Sequence, residues 1–322
     1  MKILVAGGAG YVGSVLVPLL QEHGYEVVVV DTLWFGNHLP EDTQVHQKNL
    51  FELREEDLIG YSCVIFLAGM SNDPMAEYSP ALNFIENASL PSYLAFIAKK
   101  AGVGRFIYAS SCTVYGYAVN ELYDEECPAT CGFPYGISKL QGEHGVIQMQ
   151  DESFSTISLR QGTVCGYSPR MRFDLIVNTM YKAAILEGRI TVNNPSIWRP
   201  ILDVRDTATA FLRAVQAAPS ISGVFNVAYD NFTVGQIGDL VKDAVEELTG
   251  QRVQITVKDM QDFRNYKVTC AKAKTTLGFA PKYDVTDMVK SLHNKRATYG
   301  DFADDLFYNI VTFKKVEKKL WA

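Results

Sequence analysis

The chain has 322 residues, of which 48% are hydrophobic, so it can bury a sizeable core and is not a disordered polypeptide. The 36 acidic side chains outnumber the 30 basic ones and give a net charge of -6, which argues against a nucleic-acid partner. The N-terminal MKILVAGGAG lacks the features of a signal peptide, and no apolar stretch is long enough to span a membrane. We therefore expect a cytoplasmic protein without a membrane partner.

The six cysteines are scattered along the chain, a distribution that predicts free thiols in a protein without a secretion signal. Cys127 and Cys131 flank a loop, but no second pair of Cys or His stands near them in sequence. A metal site is therefore not expected.

Short apolar runs alternate with helical patterns through the first two thirds of the chain. Strands are predicted at 2–6, 26–30, 63–68, 105–109 and 155–159, and crossover helices at 11–23, 81–101 and 136–150. Because these strands are apolar on both faces, they are typical of a parallel sheet covered by helices on both sides. The predicted fold is a doubly wound α/β sheet of the Rossmann type.

The pattern becomes less regular beyond about residue 165, although helices are still predicted near 172–187, 205–217 and 233–248. We expect residues 1–165 to form a dinucleotide-binding domain. Residues 166–322 are expected to form a smaller and more irregular substrate-binding part, with some strands returning to the main sheet.

A glycine motif follows the first predicted strand directly. In AGGAGYVGS, Gly7, Gly10 and Gly13 would let backbone N–H groups approach a diphosphate at a helix N-terminus. The second predicted strand ends at Asp31, where a carboxylate can accept hydrogen bonds from both hydroxyls of a ribose. The same carboxylate would repel a 2′-phosphate, so the predicted cofactor is NAD rather than NADP.

Tyr135 and Lys139 stand four residues apart in YGISK, and thus on one face of a predicted helix. An adjacent ammonium group favours the phenolate form and is expected to lower the pKa of the tyrosine. Such a tyrosine can exchange a proton with a hydroxyl or carbonyl group of a substrate. The hydroxyl-rich SSCTVYG, which ends another predicted strand, would face the same substrate.

Together, the glycine motif, Asp31, VIFLAGMSNDP, SSCTVYG and YGISKLQGE resemble the extended short-chain dehydrogenase/reductase family, whose members mostly act on nucleotide sugars. The resemblance extends over nearly the whole chain. It implies that Ser111 hydrogen-bonds the reacting oxygen of the sugar, that Tyr135 is the acid/base, and that Lys139 holds the nicotinamide ribose. It also implies a homodimer and cofactor contacts from Tyr11, Val12, Leu50, Leu67, Ala68, Gly69 and Asn87.

The resemblance also suggests where the nucleotide sugar would bind. Arg199 resembles an arginine that contacts the nucleotide diphosphate, and Thr163 stands where the family often has an asparagine. The other implied substrate contacts are Ser111, Cys112, Thr113, Asn178 and Arg264. Arginines suit this role because their planar fork matches phosphate oxygens.

The two residues that follow Ser111 limit the reactions that this chain is expected to catalyse. Dehydratases of the family have an Asp-Glu pair there, whereas this chain has Cys112 and Thr113, which cannot act as carboxylic acids. An epimerase that recycles its NAD and a reductase of keto-sugar nucleotides both remain open, and Asp31 favours the epimerase. The leading prediction is an epimerase acting at C4 of a hexose. A non-catalytic dinucleotide sensor is disfavoured, because a pure binder needs no Ser111, Tyr135 and Lys139.

Overall fold

The computed structural model describes residues 1–259 and 265–320. The strands are β1 (Lys2–Ala6), β2 (Glu26–Asp31), β3 (Gln44–Gln47), β4 (Cys63–Phe66), β5 (Arg105–Ser111), β6 (Tyr117–Tyr123), β7 (Ser155–Gln161), β8 (Thr163–Cys165), β9 (Arg189–Asn193), β10 (Trp198–Asp203), β11 (Gly223–Val227), β12 (Asp230–Thr233), β13 (Gln254–Lys258) and β14 (Asn265–Val268). The α-helices are α1 (Gly13–Glu22), α2 (Asp73–Tyr78), α3 (Pro80–Phe84), α4 (Leu90–Lys100), α5 (Pro134–Ile147), α6 (Ile176–Glu187), α7 (Val204–Gln216), α8 (Val234–Thr249), α9 (Ala271–Leu277), α10 (Val285–Asn294), α11 (Arg296–Tyr299) and α12 (Asn309–Leu320).

Seven parallel strands form the main sheet, in the order β11-β7-β5-β4-β1-β2-β3. The five strands predicted from sequence are all among them. Their apolar runs fit a position inside a parallel sheet, because helices cover both of its faces. The predicted doubly wound α/β fold is therefore confirmed.

The two faces of the sheet bury different helices. On one side, α1 and α7 pack on the strands through residues such as Leu16, Leu20 and Phe211. On the other side, α4 and α5 contribute Leu94 and Val146 to a second apolar cluster. The sheet is thus held rigidly, and the loops at its carboxyl edge are supported from both faces.

The helix predicted at 81–101 is interrupted in the structure. It is divided into α3, a π-helical segment at Ile85–Ser89, and α4. Pro91 explains part of this irregularity, because it has no N–H to donate to the carbonyl of Asn87 four residues earlier. That carbonyl instead accepts a hydrogen bond of 2.9 Å from the Tyr108 hydroxyl on β5.

The later part of the chain both completes the main sheet and builds a second core. β11 and α7 join the main sheet and its cover, whereas α6, α8 and α10 bury a separate apolar cluster with β9 and β10. The last helix, α12, inserts Phe313 next to Trp34 and Tyr78, so it packs on the loop after β2 and on α2. Within residues 1–259 and 265–320, no helix has the length and apolar character needed to cross a membrane.

Candidate active site

A cavity of about 600 Å³ lies at the carboxyl ends of the main-sheet strands. Doubly wound sheets bind their ligands in a crevice at this edge. The loops after β1, β2, β4 and β5, the start of α5 and parts of the segment 161–199 form its walls. The predicted site residues that line it are Gly7, Gly10, Tyr11, Val12, Gly13, Asp31, Leu50, Leu67, Ala68, Gly69, Ser111, Thr113, Tyr135, Lys139, Thr163 and Arg199.

Three predicted ligand contacts, Asn87, Cys112 and Asn178, do not line the cavity of the protein without ligand, and their contacts stay predictions. All three are fully buried and bonded to protein groups. The Cys112 thiol donates to the Arg160 carbonyl at 3.1 Å, and the Asn178 amide bonds backbone groups of the 166–172 loop. These side chains support the cavity wall from behind.

Asn87 occupies the space directly behind Gly69. Its amide nitrogen donates to the Met70 carbonyl at 2.9 Å, and its Oδ1 would lie 2.2 Å from a Cβ atom at Gly69. Asn87 thereby shapes the loop after β4, and its contact with the cofactor stays a prediction. The remaining predicted contact, Arg264, lies outside the described residues.

The turn between β1 and α1 leaves its backbone open to the cavity. Gly7 has a φ of +79°, and a Cβ atom there would come within 2.5 Å of the Ala68 backbone nitrogen. A Cβ atom at Gly13, where α1 begins, would meet the Gly8 carbonyl oxygen at 2.2 Å. Only glycine fits such close approaches, so the turn brings a helix N-terminus to the cavity without intervening side chains, which suits a bound diphosphate.

Asp31 lies at the end of β2 beside this turn. Its Oδ2 accepts from the Ala9 N–H at 3.0 Å and its Oδ1 from the Leu33 N–H at 2.8 Å. Burial raises the pKa of this carboxyl group, and the two backbone hydrogen bonds oppose the rise. Each oxygen retains capacity to accept a further hydrogen bond, so the residues present fit the adenosine ribose of NAD.

The hydroxyl groups that end β5 form a connected cluster. The Ser111 hydroxyl accepts from the Thr113 N–H at 3.2 Å and donates to the Thr113 hydroxyl at 3.1 Å. The Thr113 hydroxyl is also 3.2 Å from that of Tyr266 on β14. The Ser111 side chain also acts on the Tyr135 phenol, whose pKa it lowers, and both side chains line the cavity.

Tyr135 and Lys139 occupy the first two turns of α5, as the sequence predicts. The Lys139 Nζ lies 6.0 Å from the centre of the Tyr135 ring and donates to the Ala109 carbonyl at 3.1 Å. Both side chains line the cavity, although Lys139 is only 5% exposed. The helix therefore presents the pair toward the strand that carries Ser111.

The predicted lowering of the tyrosine pKa is wrong for the protein without ligand. Burial raises the pKa of Tyr135 well above its usual value, and the charge of Asp73 adds to the rise. Burial also lowers the pKa of Lys139 to about 7. Desolvation of both groups therefore outweighs their mutual influence, and the proton of the pair resides on the phenol.

A buried ion pair supports α5 from beneath. The Arg160 guanidinium, on β7, donates to both oxygens of Glu143 at 2.6 and 3.1 Å. The Ser110 hydroxyl donates to the same carboxylate at 2.7 Å. Glu143 thereby ties the helix that carries Tyr135 to the strand that carries Ser111.

Sequence reasoning missed a group of charged residues in the loop that follows β8. Arg170, Arg172 and Asp174 all line the cavity, as do Asp73 and Glu86 from the loop and helices after β4. Burial opposes the charge of Arg172, but its bidentate pairing with Asp174 raises its pKa overall. The stretch PRMRFD, with three charges in six residues, was the available signal.

Comparison with known proteins identifies the family. The profile of the NAD dependent epimerase/dehydratase family matches residues 3–228. The chain belongs to this family. The predicted resemblance and the predicted cofactor, NAD, are thereby confirmed.

Named relatives in this family are similar over most of their length. The UDP-glucose 4-epimerase of Erwinia amylovora is 33% identical over 302 residues, which cover 81% of this chain and 87% of that protein. That of Corynebacterium glutamicum is 24% identical over 324 residues, or 94% and 97% of the two chains. The solved UDP-glucose 4-epimerase of Thermotoga maritima with UDP-glucose superposes with a TM-score of 0.81 at 27% identity, covering 93% of this chain and 100% of that one.

Proposed function

We propose that this family member is an NAD-dependent epimerase that inverts carbon 4 of a UDP-linked hexose. The observation that supports it most directly is that Ser111 and Tyr135 line the same cavity as the glycine turn and Asp31. The similarity to a UDP-glucose 4-epimerase at 33% identity supports the choice of reaction and nucleotide.

Tyr135 is proposed as the group that exchanges a proton with the hydroxyl on carbon 4. With its own proton held on the Lys139 amine, the Tyr135 phenolate would take the substrate proton as the carbon–oxygen bond becomes a carbonyl, and would return it when the hydroxyl is restored. Ser111 would donate a hydrogen bond to the same oxygen, because its side chain lines the same cavity as Tyr135. NAD, when bound, supplies the nicotinamide ring that accepts a hydride from carbon 4 and returns it to the opposite face.

Lys139 is proposed to control the proton on Tyr135. Because burial lowers the pKa of Lys139 to about 7, its amine can accept a proton near neutral pH. An ammonium group at this site favours the phenolate that the oxidation step needs. The proton shared by this pair can thus lie either on the Tyr135 phenol or on the Lys139 amine.

The nucleotide diphosphate of the substrate is assigned to the other end of the cavity, where β8 and β10 contribute Thr163 and Arg199. Arg199 is 8% exposed, and its Nη1 donates to the Trp198 carbonyl at 2.9 Å. This bond orients the guanidinium, whose planar fork matches phosphate oxygens.

The test is proton NMR of the NAD-loaded protein with UDP-, dTDP-, GDP- and CDP-linked hexoses and no further cofactor. We expect a second anomeric signal to grow in with UDP-glucose or UDP-galactose. Turnover that appears only with a keto sugar and added NADH would instead establish a reductase.

The Tyr135→Phe variant tests the assignment of the acid/base. It removes the exchangeable proton but keeps the ring, so we expect turnover to fall by about 1,000-fold or more while NAD stays bound. Bound NAD is measured by absorbance after denaturation. Turnover within about tenfold of the unmodified protein would exclude Tyr135 as the proton-transfer group.

A further inference from the structure

Arg170 is a buried cation whose role the proposed reaction leaves unassigned. Its side chain lines the cavity but is only 2% exposed. Among the described residues, no carboxylate lies within ion-pair distance of it, and its Nε has no hydrogen-bond partner. A buried and unpaired guanidinium is costly, so its presence in a cavity wall points to an anionic ligand.

The orientation of Arg170 is fixed by Asn309 and Phe35, and its Nη1 also donates to the Met171 carbonyl at 3.5 Å. Its Nη2 donates to the Asn309 Oδ1 at 2.6 Å, and its guanidinium carbon lies 3.8 Å from the centre of the Phe35 ring. Asn309 opens α12 and donates from its Nδ2 to the Ser71 hydroxyl at 2.6 Å. Neither neighbour neutralises the charge, so the guanidinium is held in place but keeps its capacity for an anion.

Arg170 lies near the cofactor end of the cavity. It lines the cavity together with Asp31 and with Tyr11 of the glycine turn, and the carboxylates of Asp174 and Asp31 act on its charge from a distance. The next arginine along the loop, Arg172, is already paired with Asp174 at 2.8 Å. Burial lowers the pKa of Arg170 to about 9, and an anion beside it would relieve that cost.

We propose that Arg170 binds the diphosphate of the dinucleotide, opposite the N-terminus of α1. The helix end would supply backbone N–H groups from one side and the guanidinium two further donors from the other. Asn309 is then a positioning residue, through which the C-terminal helix contributes to the cofactor site. This inference rests on the NAD-binding part of the proposed function and is independent of epimerisation.

The test is calorimetric titration of the NAD-free protein with NAD, ADP, adenosine and UDP. In Arg170→Met, we expect NAD and ADP to bind about 30-fold more weakly, because a charge-assisted phosphate contact is lost. Adenosine and UDP should change by less than about threefold. Arg213→Met, at an exposed arginine on α7, is the matched control.

Two further variants test the proposal even if Arg170→Met does not fold. Arg170→Lys keeps a cation and should retain part of the affinity for ADP, whereas Asn309→Asp pairs the guanidinium with a carboxylate and should weaken ADP binding. Unchanged ADP affinity in a folded Arg170→Met protein would overturn the proposal. So would an equal loss for adenosine, or a loss confined to UDP.

Discussion

Lys139 and its pKa lead to a prediction about stability that needs no substrate. The pKa is about 7 in the folded protein, against about 10.4 in an unfolded chain. Between these values the unfolded state holds a proton that the folded state has released, so this group makes stability rise with pH. Below about pH 7 the folded protein bears the full cost of the buried charge.

Replacing Lys139 by methionine removes that charge but retains most of the side-chain volume. We expect Lys139→Met to increase the free energy of unfolding of the NAD-free protein by about 1–3 kcal/mol at pH 6. The gain should shrink toward pH 9. Urea unfolding at both pH values measures it, with the exposed Lys274→Met as control. An equal gain at both pH values would contradict the assigned pKa.

Replacing the Asp31 side chain tests whether it determines the preference for NAD over NADP. Asp31→Ala removes the carboxylate that is proposed to accept from the ribose hydroxyls and to repel a 2′-phosphate. We expect NAD to bind about 10–100-fold more weakly, because the variant also loses the bonds to Ala9 and Leu33. NADP should weaken much less, so the ratio of the two dissociation constants is the decisive measurement. An unchanged ratio would remove Asp31 from the ribose site.

Helix α5 acts as an element whose position depends on the Glu143–Arg160 pair. Both side chains are buried, at 0% and 5% exposed, so removing one charge leaves the other without compensation. We expect Glu143→Gln to reduce the free energy of unfolding by about 3 kcal/mol.

The Glu143→Gln variant should also displace Tyr135 relative to Ser111 and lower kcat more than it changes KM. Denaturant unfolding and steady-state kinetics measure the two effects. The exposed Glu247→Gln on α8 is the matched control. Normal stability together with normal kcat would show that the pair does not position α5.

Sequence patterns predicted the regular strands and helices. They failed where the local structure depends on contacts between residues that are distant in sequence. The strands were predictable because a buried parallel strand is apolar throughout. The break at Ile85–Ser89 was not, because it depends on a proline and on a hydroxyl from β5 that fills the freed position. Helical periodicity alone shows only one continuous amphipathic segment there.

The residues of the candidate site likewise divide into those that local sequence patterns predict and those that they do not. Five features of the cavity were predictable because they belong to short local motifs. They are the glycine turn, Asp31, Ser111, Tyr135 and Lys139. Arg170, in contrast, stands in a loop without periodicity. Its role becomes visible only in the folded chain, where Phe35 and Asn309, which are distant in sequence, contact its guanidinium. The raised pKa of Tyr135 likewise follows from burial, which spacing does not reveal.

The homodimer expected from the family resemblance remains a prediction for the whole molecule. Ile85 and Phe96 expose 39% and 44% of their surface along the segment that includes α4. Exposed apolar side chains on one helical segment suit an interface between two copies. We expect light scattering to give about twice the chain mass of 35.8 kDa.

Phe96→Glu should shift the population to the monomer if this face forms the dimer, whereas Leu186→Glu should not. Leu186 is 57% exposed on α6, so the control introduces the same charge at another apolar surface position. A monomeric unmodified protein, or a dimer that survives Phe96→Glu, would contradict the predicted interface.

The main sheet is completed by a strand that is synthesised late. β11 pairs with β7, yet about sixty residues that build much of the second core separate them in the chain. During translation, β7 therefore presents an open edge until residue 227 has left the ribosome. An unpaired apolar edge is a template for aggregation, so the sooner β11 pairs with β7, the shorter the time for which the nascent chain exposes this hazard.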